Sequence, residues 1–412
     1  MPSHERAPCR HEEIASSHSA LRAHGVAPVR PYHLLAKPAG AACNLRCGYC
    51  FFLSKDTLYP GETFLMDERT LENYIRQLMI SSVGAEVHVT WQGGEPLLRG
   101  IEFFRRSVEL ARAHARPGQR VVHSIQTNGT LVDEEWAAFF KENRYLVGLS
   151  IDGPGALHDA YRLDKQGRGS FDAVTRAWNT LRRHGVDVNI LCAVHAGNAD
   201  HPLAVYRFFR DTLGAQYLQF IPIVERSAGK KPHGAAPGAA VTDRSVPAGK
   251  FGAFLIAVFD EWLRRDVGRV FVISFEAALG SWLGLHQSCV VAPVCGGSPV
   301  LMQNGDVYPC DHFVEPDRRL GNIRDTPLAT LLGSERQLRF GREKSASLPR
   351  CCRECPVLFA CHGECPRNRF IAAPDGEPGL NYLCAGYRAF FTHIDGPMRR
   401  MAAAIRRGPA CS

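Results

Sequence analysis

The 412-residue chain contains no apolar run that reaches the ~18 residues a membrane-spanning helix requires. Its first residues are rich in His, Arg and Glu and lack the apolar stretch of a secretory signal, so a cytoplasmic location is the expectation. It also lacks the heavy charge excess of a nucleic-acid-binding chain. Lys and Arg number 49 against 41 Asp and Glu, and much of the surplus of +8 lies at an Arg-rich end around Arg399, Arg400, Arg406 and Arg407, which reads as a solvated tail. Nor is apolar material short: 45% hydrophobic and 22% charged residues suit one large soluble domain or two ordinary ones. Cysteine is abundant, at 15 residues. In a long chain without an export signal, clustered cysteines are more often metal ligands than disulfides. Cys9, Cys192, Cys351 and Cys411 stand apart from two tight groups, and Cys192, in an apolar run, reads as a buried small residue.

Residues 1–30 lack periodicity and read as a flexible arm. Apolar runs at 33–37, 87–92, 121–126, 146–151, 188–194 and 217–221 predict strands. Amphipathic segments alternate with them. In the first, Leu71, Tyr74, Ile75 and Leu78 recur at helical spacing behind Asp67 as cap; others run near 103–113, 134–141, 173–184 and 203–213. Sixfold strand–helix alternation predicts an α/β fold with a parallel sheet, and a parallel α/β barrel carries its chemistry on loops at the C-terminal strand ends. The barrel is expected over 31–245. Residues 227–249, rich in Gly, Ala and Pro, read as a surface insertion, and 246–286 as a helical connector containing a helix near 251–264. A cysteine-dense region of poor periodicity, 287–390, has so little core that metal must hold it together, and 391–412 form a C-terminal helix and tail.

Cys43, Cys47 and Cys50 form C-x3-C-x2-C directly after the first strand. Three thiolates on one short loop can hold a cubic cluster while leaving its fourth iron open, as a reactive centre requires; a zinc site with an incomplete ligand set is the other reading of this spacing. The run Cys43-Asn-Leu-Arg-Cys47-Gly-Tyr49-Cys50 resembles the signature of the radical S-adenosylmethionine (SAM) superfamily, with an aromatic residue before the third cysteine. That resemblance implies a partial barrel of six βα units, a [4Fe–4S] cluster and SAM bound on its open iron and cleaved to a 5′-deoxyadenosyl radical. It also implies contacts to SAM from Tyr49, from Gln92-Gly93-Gly94-Glu95 after the second strand, from Ser150 and Asp152 at the end of the fourth, and from Arg162. Gln126-Thr-Asn128-Gly129 ends the third strand and should face the same pocket. For a Gly-Gly-Glu or a polar strand end taken singly, turn formation or helix capping is the competing reading.

Eight further cysteines lie in two blocks, Cys289, Cys295 and Cys310, then Cys352, Cys355, Cys361 and Cys365, with Cys384 further on. Eight thiolates make two complete four-ligand sites, for zinc or for clusters; spacing does not decide between them. The block resembles the SPASM extension of peptide-modifying radical SAM enzymes. By that resemblance Cys289, Cys295, Cys310 and Cys365 would hold one auxiliary [4Fe–4S] cluster, and Cys352, Cys355, Cys361 and Cys384 a second, with Cys351 a bystander.

From about residue 34 to 394 the chain resembles the anaerobic sulfatase-maturating enzymes, through 91–96, 126–130, 148–154, 219–226, 259–267, 304–313, 361–366 and 381–393. Phe52 departs from the usual Tyr, and the loop between Cys295 and Gly305 differs. The resemblance implies oxidation of a Cys or Ser in a sulfatase Cys/Ser-x-Pro-x-Arg segment to formylglycine. Asp311 would be the general base, the first auxiliary cluster would take the second electron, and a ferredoxin or flavodoxin would be the low-potential donor. A turn or hydrogen-bonding role in the cluster loop is the competing reading of Asp311. Glu225 and Asp260 are candidates, by type only, to receive the substrate's Arg. Two other functions fit parts of the pattern: a SPASM enzyme crosslinking a small peptide, disfavoured by the mere thirty or so residues before the first strand, and a zinc-binding interaction module.

Overall fold

The computed structural model describes residues 31–61, 64–227, 241–286 and 288–407. The proposed arm, most of the proposed insertion, Cys9 and Cys411 lie outside the described residues.

Seven strands run parallel and side by side in chain order: β1 (Leu35–Ala36), β2 (Glu86–Trp91), β3 (Arg120–Thr127), β4 (Leu146–Ser150), β5 (Asp187–Val194), β6 (Tyr217–Pro222) and β7 (Phe271–Val272). Helices α1 (Glu68–Ser81), α2 (Ile101–His114), α3 (Glu134–Glu142), α4 (Phe171–Arg183) and α5 (Pro202–Arg207) connect them, giving the expected partial α/β barrel. The local causes are ordinary. Asp67 caps α1 by accepting from Thr70 N at 2.7 Å, and Asp133 caps α3 by accepting from Trp136 N at 2.9 Å. The predicted stripe of Leu71, Tyr74, Ile75 and Leu78 is buried. The helix expected over 203–213 is α-helical only to Arg207, then continues as a π turn over Phe208–Thr212.

Period-two alternation sorts each strand into an outer, apolar face and an inner, polar one. Val87, Val89 and Trp91 of β2 pack outward, with Trp91 edge-on to Tyr74, Phe103 and Phe104. Thr90 and Gln92 therefore point inward, in phase with Gln126, Ser150 and Gln219 on the neighbouring strands. Cys192 points outward and is fully buried in the apolar cluster beneath α5 and α6 (Ala248–Arg265).

Residues 300–322 do not fold apart from the barrel. β8 (Val300–Leu301) pairs parallel with β1, in register Leu35↔Val300, and β9 (Asp306–Tyr308) and β10 (Gly321–Asn322) extend the same sheet antiparallel. Residues 241–247 are not loose either: Thr242 N donates to Glu225 O at 2.9 Å, Val246 N to Ile223 O at 2.9 Å, and Val246 is fully buried. The final helix, α8, begins at Cys384 and runs to Arg407, seven residues ahead of its predicted start; α7 (Ile273–Trp282) and α6 pack against it. The apolar cluster proper to the cysteine-rich part holds only Leu348, Cys352, Ala373 and Leu380 as buried members. No helix among the described residues is long and apolar enough to cross a membrane.

Candidate active site

The loop after β1 carries the three early cysteines. It is tied down from the side, as Arg46 N donates to Leu163 O at 2.7 Å and Gly48 N to Tyr161 O at 2.9 Å. Asn128 Nδ2 approaches Cys43 Sγ at 3.7 Å. Burial pushes the Cys43 thiol up to about 11 and the Cys47 thiol up to about 12, and neighbouring thiols add to both shifts. Deprotonating them together requires a bound cation, as a metal cluster provides.

The Gly93–Gly94 turn packs on this loop. Gly94 N donates to Gly40 O at 2.9 Å and Glu95 N to Ala42 O at 2.8 Å. A Cβ on Gly94 would lie 1.9 Å from Ala42 O, so the glycine is needed for close backbone approach to the cysteine loop itself. Glu95 is fully buried; its carboxylate accepts from Leu97 N, Thr127 Oγ1 and Asn128 N at 3.0, 2.8 and 2.8 Å. Burial still pushes it up to about 7. Glu95 thereby braces the β2 and β3 ends together.

Tyr49, Asp152 and Arg162 form one buried cluster. Asp152 accepts from the Tyr49 hydroxyl, from Arg162 Nε at 2.8 Å and from Ala193 N at 2.9 Å. Burial alone would raise the Asp152 carboxyl, but Arg162, His158 and His195 together outweigh it and the net shift is downward. Ser150 Oγ accepts from Gln126 Nε2 at 3.0 Å.

The later cysteines fall into two electrostatic neighbourhoods. Cys310 interacts with Cys289 and Cys295, and Cys365 with Cys310 and Cys295. Cys361 interacts with Cys384 and Cys352, and Cys384 with Cys355. Cys351 lies beside the second set, against Cys352 and Cys384. Cations lie among these thiols: Lys344 is buried beside Cys289 and Cys295, and half-buried Arg369 lies between Cys295 of the first set and Cys352 and Cys361 of the second. Lys344, 1% exposed, donates to Cys289 O at 2.6 Å and Val290 O at 2.9 Å, and Arg369 donates to the carbonyls of His362, Gly363 and Glu364 at 2.8, 2.9 and 3.2 Å. Buried cations held by carbonyls around grouped thiols are the environment an anionic iron–sulfur cluster requires.

A cavity of about 420 Å³ opens beside this first set, lined among others by Tyr49, Gln219, Glu225, Cys310, Asp311 and Cys365. Asp311 enters it from the turn after β9. Burial raises its carboxyl, yet Lys37 and His312 draw it below the usual carboxylate range. Phe51 ties this region to the early cysteines, with its ring 5.3 Å from that of His312 and 4.3 Å from the Arg367 guanidinium.

Known proteins match this arrangement along its length. The Radical SAM superfamily model matches residues 38–209 and that of an iron-sulfur cluster-binding domain, SPASM, matches 295–356. A serine-type anaerobic sulfatase-maturating enzyme of Bacteroides thetaiotaomicron is 45% identical over 373 residues, covering 89% of this chain and 90% of that one. A cysteine-type enzyme of Clostridium perfringens is 35% identical over 371 residues, 88% of this chain and 96% of its own. The solved structure of native anSMEcpe with bound AdoMet superposes with a TM-score of 0.80 at 33% identity, covering 90% of this chain and 99% of that one. This chain belongs to the anaerobic sulfatase-maturating enzymes.

As a radical SAM enzyme with a SPASM domain, it is an iron–sulfur and SAM protein. Of the two acidic candidates for substrate recognition, Glu225 lines the cavity and is held by Arg244, with Nε at 2.9 Å and a second nitrogen at 3.0 Å. Asp260 lies on α6, half-exposed and paired with His393 at 2.7 Å, and does not line the cavity. Sequence reasoning missed Lys37, Lys344, Arg367 and Arg369. Lys37 left a usable signal: it is a charged residue ending an apolar strand, at the position where β2, β3 and β4 each place a polar pocket residue.

Proposed function

We propose that this enzyme oxidises the Cβ of a Ser or Cys in a Cys/Ser-x-Pro-x-Arg segment of an unfolded or nascent sulfatase to formylglycine. Cys43, Cys47 and Cys50 hold the SAM-binding [4Fe–4S] cluster. Tyr49, Gln92, Gly93, Gly94, Glu95, Ser150, Asp152 and Arg162 build the SAM pocket, with Glu95, Asp152 and Tyr49 acting through the loops they brace. Cys289, Cys295, Cys310 and Cys365 hold the first auxiliary [4Fe–4S] cluster, and Cys352, Cys355, Cys361 and Cys384 the second. When bound, these groups supply a 5′-deoxyadenosyl radical and an acceptor for one electron. The oxidation removes two hydrogens from the substrate: Asp311 would take the one on oxygen or sulfur as a proton, and the bound groups would take up the Cβ hydrogen atom and the remaining electron. From Ser the product is the aldehyde directly; from Cys a thioaldehyde is hydrolysed, releasing hydrogen sulfide. A ferredoxin or flavodoxin supplies the priming electron.

The observation that supports this reading best is the placement of Asp311. It adjoins Cys310, lines the cavity, and its Oδ1 is held 2.6 Å from the Lys37 ammonium. A carboxylate fixed at the cavity wall beside a cluster site suits removal of a proton as an electron departs. The test is anaerobic incubation with a Ser-x-Pro-x-Arg peptide and its Cys counterpart, with SAM and a reductant. Aldehyde in at least one peptide and about twelve irons per chain, as three cubanes require, are expected. Colourless protein containing zinc, or SAM cleavage with neither peptide oxidised, would refute the proposal.

A further inference from the structure

Lys37, at the end of β1, has no part in the chemistry above, yet it is among the most deeply buried side chains of the site, at 1% exposure. Its ammonium lies 2.6 Å from Gln92 Oε1, 2.6 Å from Asp311 Oδ1 and 4.6 Å from the centroid of the Phe52 ring. These partners come from three separate segments: the turn after β2, the turn after β9 and the residue two beyond Cys50. Phe52 has no hydroxyl, so among these three the ammonium's oxygen partners are Gln92 and Asp311. Gly93 is shaped around the same side chain, as a Cβ there would stand 3.2 Å from Lys37 Cδ. Desolvating an ammonium costs several kcal/mol, so a buried lysine persists where specific partners offset that cost. The contact to Asp311 is an ion pair between that ammonium and carboxylate Oδ1. Lys37 thus fixes where the carboxylate sits.

We propose that Lys37 is a positioning residue that locks Asp311 and Gln92 into one frame, holding the proton acceptor in register with the loop on the SAM side. The inference rests on the reading of Asp311 as base. Without the ammonium, Asp311 is a partly buried carboxylate released toward His312 and Arg367, and it leaves the substrate's hydroxyl or thiol. Radical formation draws on the early cysteine loop and the SAM pocket, whereas loss of the proton draws on Asp311, so loss of Lys37 uncouples the two.

The test uses the iron-loaded full chain with the peptide that wild type oxidises, and counts 5′-deoxyadenosine and aldehyde in the same reaction. The ratio is read whatever the absolute rate of cleavage. In Lys37→Met it should rise from about one to ten or more, since ångström-scale misplacement of a reacting group costs up to about a hundredfold. The peptide KM should stay within about threefold while kcat falls. The double variant Lys37→Met/Asp311→Asn should make no less aldehyde than Asp311→Asn alone, because residues acting through one another are not additive. If the methionine variant does not retain iron, Lys37→Gln, which keeps most of the stem and a donor without the charge, carries the same expectation. A ratio that stays near one in whichever variant holds its iron overturns the proposal. Aldehyde from wild type with that ratio unchanged refutes the role of Lys37 alone; no aldehyde from wild type refutes the underlying reading.

Discussion

Gly252 of α6 and Gly386 of α8 lie directly against each other where the two longest helices cross, so close that a Cβ on Gly252 would stand 2.7 Å from Gly386 Cα. A Cβ on Gly386 would stand 2.1 Å from Ala248 O. Side chains at this crossing would force the helices apart, and α8 starts at Cys384, one of the proposed ligands. Gly386→Ala should therefore cost ~1–3 kcal/mol or more of stability, the usual range for overpacking a tight contact. It should also deplete iron by roughly one cluster's worth if Cys384 is displaced. Thermal unfolding and iron per chain measure both; an alanine variant with full iron and an unchanged midpoint would contradict the close crossing.

Asp311→Asn tests the base directly. The amide keeps the size and the turn but cannot accept a proton. Formylglycine should fall by ~10²–10⁴, the usual contribution of a positioned base, while iron content is kept and SAM is still cleaved. Mass spectrometry of the peptide and chromatography of 5′-deoxyadenosine read the two halves. Full product from this variant removes Asp311 from the role.

Glu225 lines the cavity and Asp260 does not, which separates the two acidic candidates. For the substrate's Arg to reach Glu225, it must take the place of Arg244, an exchange of one bidentate guanidinium contact for another. Glu225→Gln should raise the peptide KM about tenfold, equivalent to ~1.4 kcal/mol. Against a peptide whose Arg is replaced by Ala, the same variant should cost little. Asp260→Asn should leave the KM unchanged; the opposite ranking would place recognition on the outer face of α6.

His123, on β3, links stability to pH. It is buried with its ring stacked on Tyr145 at 5.0 Å, and its Nδ1 has no hydrogen-bond partner. Burial lowers its pKa from 6.5 to about 4. The unfolded chain then binds the proton more readily than the folded one. This contribution is complete above pH 6.5, is lost progressively as the pH falls toward 4, and levels off below that. His123→Phe should reduce the drop in unfolding midpoint between pH 7.5 and pH 5; an unchanged drop would mean the ring is protonated at little cost in the folded protein.

Much of the barrel was legible because its rules are local. The spacing of Leu71, Tyr74, Ile75 and Leu78 fixes one helix face, and alternation in β2 assigns Trp91 outward and Gln92 inward without reference to any other element. Runs at 87–92 and 188–194 became Glu86–Trp91 and Asp187–Val194, off by a residue at most. The start of α8 was misplaced for the opposite reason. What keeps 241–247 in place is pairing with Glu225 and Ile223, many residues away in sequence. In its first turn α8 packs Gly386 against Gly252 of α6, a contact with a segment far earlier in the chain.

The sequence by itself determined the α/β alternation, the two cysteine groups and the polar residues waiting at successive strand ends, because each follows from spacing along one stretch of chain. Only the tertiary structure decided that β8 lies beside β1. That single parallel pairing carries Asp311 to within 2.6 Å of Lys37, a residue 274 positions earlier (311 − 37), and makes one site from two halves of the chain. Proximity between distant segments depends on which sheet edge is left free and which apolar faces must be covered, and no local pattern encodes that.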